Sequence, residues 1–491
     1  MNEGENDEGV NLADPDSLLG LLQRGRGKGY LMALDTPPRQ VWPLLLECIT
    51  NDPQLDRQWR PDREYYVSLI LKTGMDLEPL ASFVRQNDAQ DDDNSSNVDF
   101  TLWVLERLAQ RDNSQAWEFL REYLRHGCDF RWIAFVVHDL AEMGALDGVD
   151  EILYSRINAD QDSYGVFRKE VEEDWRRYCR SDEDDRRKGR FLLPMCEPWK
   201  SLCRKHGGLA GLFTRVGLPY DCPPAVCKVT DADVAGLSIK DLLALVDKAS
   251  FLPSKRAMKE KASAQDEDCL LANLSSVNKY RVRLAFRGLG TLGTPRAFEA
   301  VASFLESSEN ADSGVRGEAL DAMWRLPSSL TLAMARQWFL REKWYLQSAA
   351  GGVFERHATL EDIPLLMQIL RTPGAIQNDD YRLSFILTTL TRFEGLGRIP
   401  ELEQVFCETP DPFRRGDAAE AMAATAPGHF TAEYAYECLW DCDWAAFKMG
   451  CAMVDLSTPG AIERLKEIAA DECESDDTRE IAKKRLESIV G

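Results

Sequence analysis

Five residues are the first place to look for chemistry: Cys196, Cys203, His206, Cys222 and Cys227. Zinc prefers thiolate and imidazole ligands, four to a tetrahedron. Cys203-x2-His206 and Cys222-x4-Cys227 are pairs about fifteen residues apart, a spacing that could close a small loop around an ion. The tight Cys-x2-Cys knuckles of zinc modules are absent, and cysteine is among the most often buried residue types. The set therefore reads as core or free thiols, and no cofactor is expected. Cys438 and Cys442 stand four apart and read as one face of a single helix, where core packing is the default. The five histidines, His126, His138, His206, His357 and His429, form no His-Glu-x-x-His, and there is no Gly-x-Ser-x-Gly elbow. His138 reads as a hydrogen-bonded residue near the core. Gly20 and Gly25 have the spacing of a phosphate loop, but Arg26-Gly27 follows where Lys and then Ser or Thr is required. Arg24 to Gly29 instead reads as a solvated turn. Nothing here assembles a reaction, so the chain is expected not to be an enzyme.

The elements that carry these residues repeat. Val282, Ala285, Leu289 and Leu292 recur at three and four residues, the spacing of one helical face. Gly293-Thr294-Pro295 then forms a corner, with Thr as cap and Pro at the first helical position, where a missing N–H costs nothing. Phe298, Val301, Phe304 and Leu305 make a second stripe. Similar units open at Val315-Arg316, Tyr345-Leu346, Tyr381-Arg382, Phe413-Arg414, Trp444-Ala445 and Thr478-Arg479. The second positions, 283, 316, 346, 382, 414, 445 and 479, step by 33, 30, 36, 32, 31 and 34. Two helices per period of this length, neither able to bury its stripe alone, predict an all-α superhelix, an α-solenoid.

The hydrophobic-Arg opening, the small-residue and Leu stripe and the Thr-Pro corner resemble the HEAT-repeat family, in the short form of bilin-lyase-type HEAT proteins. The resemblance covers roughly residues 270–491 and, more loosely, 37–160. It departs at 345–346 and 444–445, where the Arg is missing. It implies a right-handed superhelical scaffold with a concave groove and no particular reaction.

Four segments are expected. Residues 1–36 are an acidic tail and lead-in, and 37–180 a diverged helical-repeat segment. Residues 181–265 are an irregular connector rich in Gly and Pro, and 266–491 the regular repeats. Helices are predicted near 38–50, 62–73, 77–86, 98–110, 113–126, 130–143 and 147–158. The formal charge of −23, from 82 acidic and 59 basic residues, disfavours a nucleic-acid partner, which needs a positive footprint. It favours a basic protein partner. The 13 scattered cysteines, no apolar run long enough to span a membrane, and an N-terminus without a signal core point to a reducing cytoplasm.

The arginines at the openings, Arg283, Arg316, Arg382, Arg414 and Arg479, are expected to brace one unit against the next through carboxylates or helix-end carbonyls. Arg287, Arg325 and Arg392, off the apolar stripe, and Trp324 are the expected partner contacts. The function read from all this is a protein-binding scaffold, adaptor or inhibitor. The alternatives are an enzyme or accessory subunit acting on nucleic acid or a tetrapyrrole, and a subunit of a bacterial regulatory or defence complex.

Overall fold

The computed structural model describes residues 12–51, 65–88, 95–127, 130–142, 146–159, 161–180, 190–218, 236–249, 261–309, 311–372, 382–471 and 474–488, with Gly144, Met258 and Ile376 between. Among these there are twenty-eight α-helices and no strand. They fall into two compact units: Met1–Cys227 with Trp440–Cys442, and Lys228–Leu439 with Asp443–Gly491.

The first unit contains α1 (Leu18–Gln23), α2 (Gly27–Asp35), α3 (Pro38–Thr50), α4 (Tyr65–Thr73), α5 (Glu78–Asn87), α6 (Ser95–Gln110), α7 (Ser114–His126), α8 (Phe130–Glu142), α9 (Val149–Ile157), α10 (Gln161–Arg180), α11 (Trp199–Lys205) and α12 (Gly207–Val216). The periodicity had placed α3 to α9 to within a few residues. Two local readings change. Arg24 to Gly29 is not a solvated turn: Gly25 turns the chain at φ 66°, α2 begins at Gly27, and Arg24 and Arg26 are buried. The Arg26 carbonyl accepts from the Tyr65 hydroxyl at 2.8 Å and the Leu22 carbonyl from Tyr66 at 2.8 Å. The Gly- and Pro-rich stretch after residue 190 holds α11 and α12, and Phe191, Trp199, Leu209 and Phe213 from it join the buried core.

The second unit contains α13 (Ile239–Ala249), α14 (Glu267–Asn273), α15 (Lys279–Leu292), α16 (Pro295–Ser307), α17 (Ser313–Arg325), α18 (Ser328–Trp338), α19 (Trp344–His357), α20 (Ile363–Leu370), α21 (Arg382–Leu390), α22 (Pro400–Glu408), α23 (Pro412–Thr425), α24 (Pro427–Glu433), α25 (Ala435–Cys438), α26 (Trp444–Met453), α27 (Ala461–Ala470) and α28 (Asp476–Glu487). The first corner forms as its residues dictate. Thr294 accepts from the Ala297 amide at 3.1 Å, Pro295 opens α16, and Gly293 ends α15 at φ 67°. Packing runs α15 on α17, α17 on α19, α19 on α21, α21 on α23, α23 on α26 and α26 on α28. These seven helices form one layer, and the helices between them pack behind it. Contacts join like ends: Lys279 meets Asp312 at the starts of α15 and α17, and Arg325 meets Thr291 at their ends. The layer is therefore parallel. One helix expected to carry both Cys438 and Cys442 does not exist; α25 ends at Cys438, and Cys442 lies in the turn before the Asp443 cap of α26.

Close approach within the layer falls on glycines. A Cβ on Gly290 of α15 would lie 2.7 Å from the Ala322 Cα of α17, a backbone atom that cannot swing away. Gly317 of α17 faces open space. Gly290→Val should therefore cost about 1–3 kcal/mol in denaturant unfolding. Gly317→Ala should stabilise by up to about 1 kcal/mol through helix propensity.

Candidate protein-interaction face

The lateral contacts of the parallel layer bring together most of the side chains that could do work. Arg287 of α15 grips Glu318 of α17 with two bonds, Nε to Oε2 at 2.8 Å and Nη2 to Oε1 at 2.5 Å, and Arg283 joins at 3.4 Å. Arg325 lies 2.7 Å from the Asp321 carboxylate, and its Nη1 donates to the Arg287 carbonyl at 3.1 Å. Burial lowers the Arg325 pKa from its ordinary value, opposed by Asp321 and Glu318. The Trp324 indole donates to the Ser348 carbonyl at 3.2 Å and lies on Gly352, where a Cβ would come within 2.3 Å of it. Gly351 makes the same room for Phe385 of α21. Arg392, in the turn after α21, donates to the carbonyls of Phe354 and Glu355 at 3.0 and 2.9 Å.

The row then turns acidic. Ser384 of α21 donates to Asp417 of α23 at 3.1 Å. Burial, then the charges of Glu420 and Asp411, push the Asp417 carboxyl up to about 6, against the pull of Ser384 and Arg414. Glu355 of α19 is also raised, first by burial and also by Asp417. This seam had no sequence signal, because its members are ordinary acids among 82.

The residues singled out by spacing are now placed. Arg287, Arg325 and Trp324 are half-buried in the row and engaged within it, and Arg392 is exposed with one edge holding α19. Of the opening arginines, Arg283 reaches the next helix, Arg316 the Ser308 and Glu309 carbonyls at 3.4 Å, and Arg382 the Phe339 carbonyl at 3.3 Å. Arg414 pairs with Asp411 at the start of its own helix, and Arg479 with Asp476. Cys203 and His206 lie in the first unit. His206 caps α12, its Nδ1 accepting from the Leu209 amide at 3.2 Å, with its ring against Tyr154. Burial pushes the Cys203 and Cys196 thiols up to about 11, which disfavours the thiolate a metal or a reaction needs. Cys222 and Cys227 lie outside the described residues. Among the described residues no group of three or more His, Cys, Asp or Glu is placed to hold a metal ion. No described helix is long and apolar enough to cross a membrane.

One titratable cluster has the look of an acid–base site. Glu403 accepts from Arg398 at 2.5 and 2.8 Å, from His429 at 2.9 Å and from Tyr434 at 3.0 Å. Arg398 leads the effects that hold Glu403 below the usual carboxylate range. With both oxygens engaged by donors, this carboxylate is a poor proton acceptor and reads as a brace between α22 and the α24 region.

These contacts define a helical-repeat solenoid, an all-α chain whose paired helices stack side by side. No family model matches the chain, and no curated protein matches its sequence. Among solved structures it is similar to a crystal structure of Kap121p bound to Nup53p, at 13% identity and a TM-score of 0.31 over 91% of this chain and 45% of that one. It is also similar to an engineered protein, at 14% identity and a TM-score of 0.22 over 98% of this chain and all of that one. The chain thus spans less than half of the Kap121p chain it matches. Superpositions this loose carry no argument, and the class rests on the helices themselves.

The seam can be tested by pH. The Asp417 carboxyl titrates higher in the fold than the ordinary 3.8, so its contribution is most favourable at low pH and is lost as pH rises through about 6. Asp417→Asn keeps an acceptor for Ser384 without the charge. It should match the parent near pH 4 and exceed it at pH 8 by on the order of 2 kcal/mol in urea unfolding. Arg325→Met removes the donor to the Arg287 carbonyl and leaves Asp321 without its cation; a loss of about 1–3 kcal/mol is expected at neutral pH.

Proposed function

We propose that this chain is a non-enzymatic scaffold of HEAT-repeat type that holds an extended or helical segment of a basic protein along the parallel layer of its second unit. The observation that carries the reading is the acidic seam. Glu355 and Asp417 are carboxylates raised first by burial, with the charge of Asp417 adding to the rise at Glu355 and those of Glu420 and Asp411 to the rise at Asp417. A cationic side chain placed against them would relieve that repulsion, so binding a basic segment is favoured locally as well as by the overall charge of −23. Long-range attraction of this kind speeds encounter and weakens with salt. Exposed Arg392, and the accessible parts of Arg287, Arg325 and Trp324, would then contact backbone carbonyls, carboxylates or rings of the bound segment. Cys196, Cys203 and Cys269 are free thiols, which suits a reducing cytosol.

Affinity capture on the full chain from native extract, eluted with rising salt and read by mass spectrometry, tests the reading. Proteins with basic segments should be retained at low salt and lost several-fold on Glu355→Gln with Asp417→Asn. Retention of nothing at any salt, or retention indifferent to the double substitution, would contradict it.

A further inference from the structure

Ser384 and Phe385 are consecutive on α21, so their side chains diverge by about 100° and lean on opposite neighbours. Ser384 donates to Asp417 of α23 at 3.1 Å. Phe385 lies over Gly351 of α19, on bare backbone that a Cβ would fill. Thr388, one turn further along the same face of α21, is exposed. One turn beyond Gly351 on α19 stands Glu355, and one turn beyond Asp417 on α23 stands Glu420. The charge of Asp417 acts on Glu355 although α21 packs between their helices. These carboxylates therefore share the space over α21, where Phe385 and Thr388 form the floor. Glu355, Phe385, Asp417 and Glu420 are all half-buried, so each keeps an open side. Among the described residues no hydrogen-bond donor reaches the Glu355 carboxylate, and Asp417 has only Ser384.

The charges around this space do not balance. Three carboxylates face it: Glu355, Asp417 and Glu420. Two cations stand near: Arg356 beside Glu355, and Arg392, whose donors go to the Phe354 and Glu355 carbonyls. Asp411 and Arg414 are held in their own pair at 3.2 Å. One negative charge is left over beside an aromatic ring. We propose that the seam seats an arginine side chain of the partner's basic segment, stacked on Phe385 with its N–H groups toward Glu355 and Asp417. This rests on the basic-partner reading above and deepens it from a charge to a residue. A guanidinium is planar, is weakly hydrated for a cation, and carries five donors that can serve carboxylates on two sides while its face lies on a ring. A cation over a ring face gains most where water is excluded, as at half-buried Phe385. A lysine ammonium is a compact, strongly hydrated point charge that would leave the ring unused.

Fluorescence anisotropy on the full chain tests it. The probe is a fluorescein-labelled peptide of three Arg-Gly-Ser repeats. Its twin has Lys for Arg, and an acidic control has Glu. The arginine peptide should bind at least fivefold more tightly than the lysine twin, and both should exceed the acidic control at low salt. Phe385→Leu keeps every charge and removes the ring, and should bring arginine to within twofold of lysine. Glu355→Gln, on the open side of α19, should weaken the arginine peptide at least threefold. Arginine and lysine binding alike, with both above the acidic control, would overturn the arginine site and leave the basic-partner reading standing. An arginine preference that survives Phe385→Leu, shown folded by circular dichroism, would overturn the site as well. Basic peptides no better than the acidic control would remove the basic-partner reading and the arginine site with it.

Discussion

The last turn of every helix leaves carbonyls without partners inside the helix, and at several helix ends of this protein a neighbour supplies the donor. Arg392 serves α19 through the Phe354 and Glu355 carbonyls, and Arg485 serves α26 through Val454. In the first unit Arg156 does the same for α7 through Tyr123 and Leu124. Where no arginine is available, α23 is met by backbone instead. The Gly395 and Gly397 amides, in a turn with positive φ, bond the Ala424 and Thr425 carbonyls at 3.2 and 2.9 Å. A cation or amide at a helix C-terminus also sits at the negative end of the helix dipole, so charge and hydrogen bonding agree. The clamp fixes how far one helix can slide along the next, which apolar contact alone does poorly.

Magnitudes separate what drives the stack from what sets its register. Each fully buried Leu or Phe contributes about 1.5–3 kcal/mol, and the layer and the helices packed behind it bury many of them, among them Phe286, Leu289, Leu305, Phe339, Phe354 and Phe406. A buried ion pair such as Arg287 with Glu318 roughly breaks even against an apolar replacement, because both charges lose water. The apolar stripes therefore hold the layer together. The polar row selects one alignment and leaves raised carboxylates at Glu355 and Asp417.

Much of the fold was legible because amphipathic helices announce themselves at intervals of three and four residues. Thr294-Pro295 marked a start and Gly293 an end for local steric reasons that no tertiary contact overrides. What failed was local reading where burial decides. Arg24 and Arg26 looked solvated because they are charged, yet both are buried, with the Tyr65 hydroxyl on the Arg26 carbonyl and the Tyr66 hydroxyl on that of Leu22. Cys438 and Cys442 had helical spacing, but Asp443 starts a new helix by capping it. The site was less legible. Spacing showed that arginine recurs, without showing which neighbour's end it reaches, so the bracing role expected of the opening arginines is shared by Arg325 and Arg392 from the far ends of their units. Asp417 meets Ser384 from about thirty residues away and raises the Glu355 carboxyl about sixty residues away, and no linear pattern carries that.

The account rests on helix ends such as that of α19 being finished by a neighbour, and hydrogen exchange reads this directly. In the full chain with Arg392→Met, amides in the last turn of α19 should lose protection selectively, with the first turns of α19 unchanged. If exchange instead rises only in the turn that carries residue 392, or evenly through the second unit, the helices of this layer are not clamped end to end and the account fails.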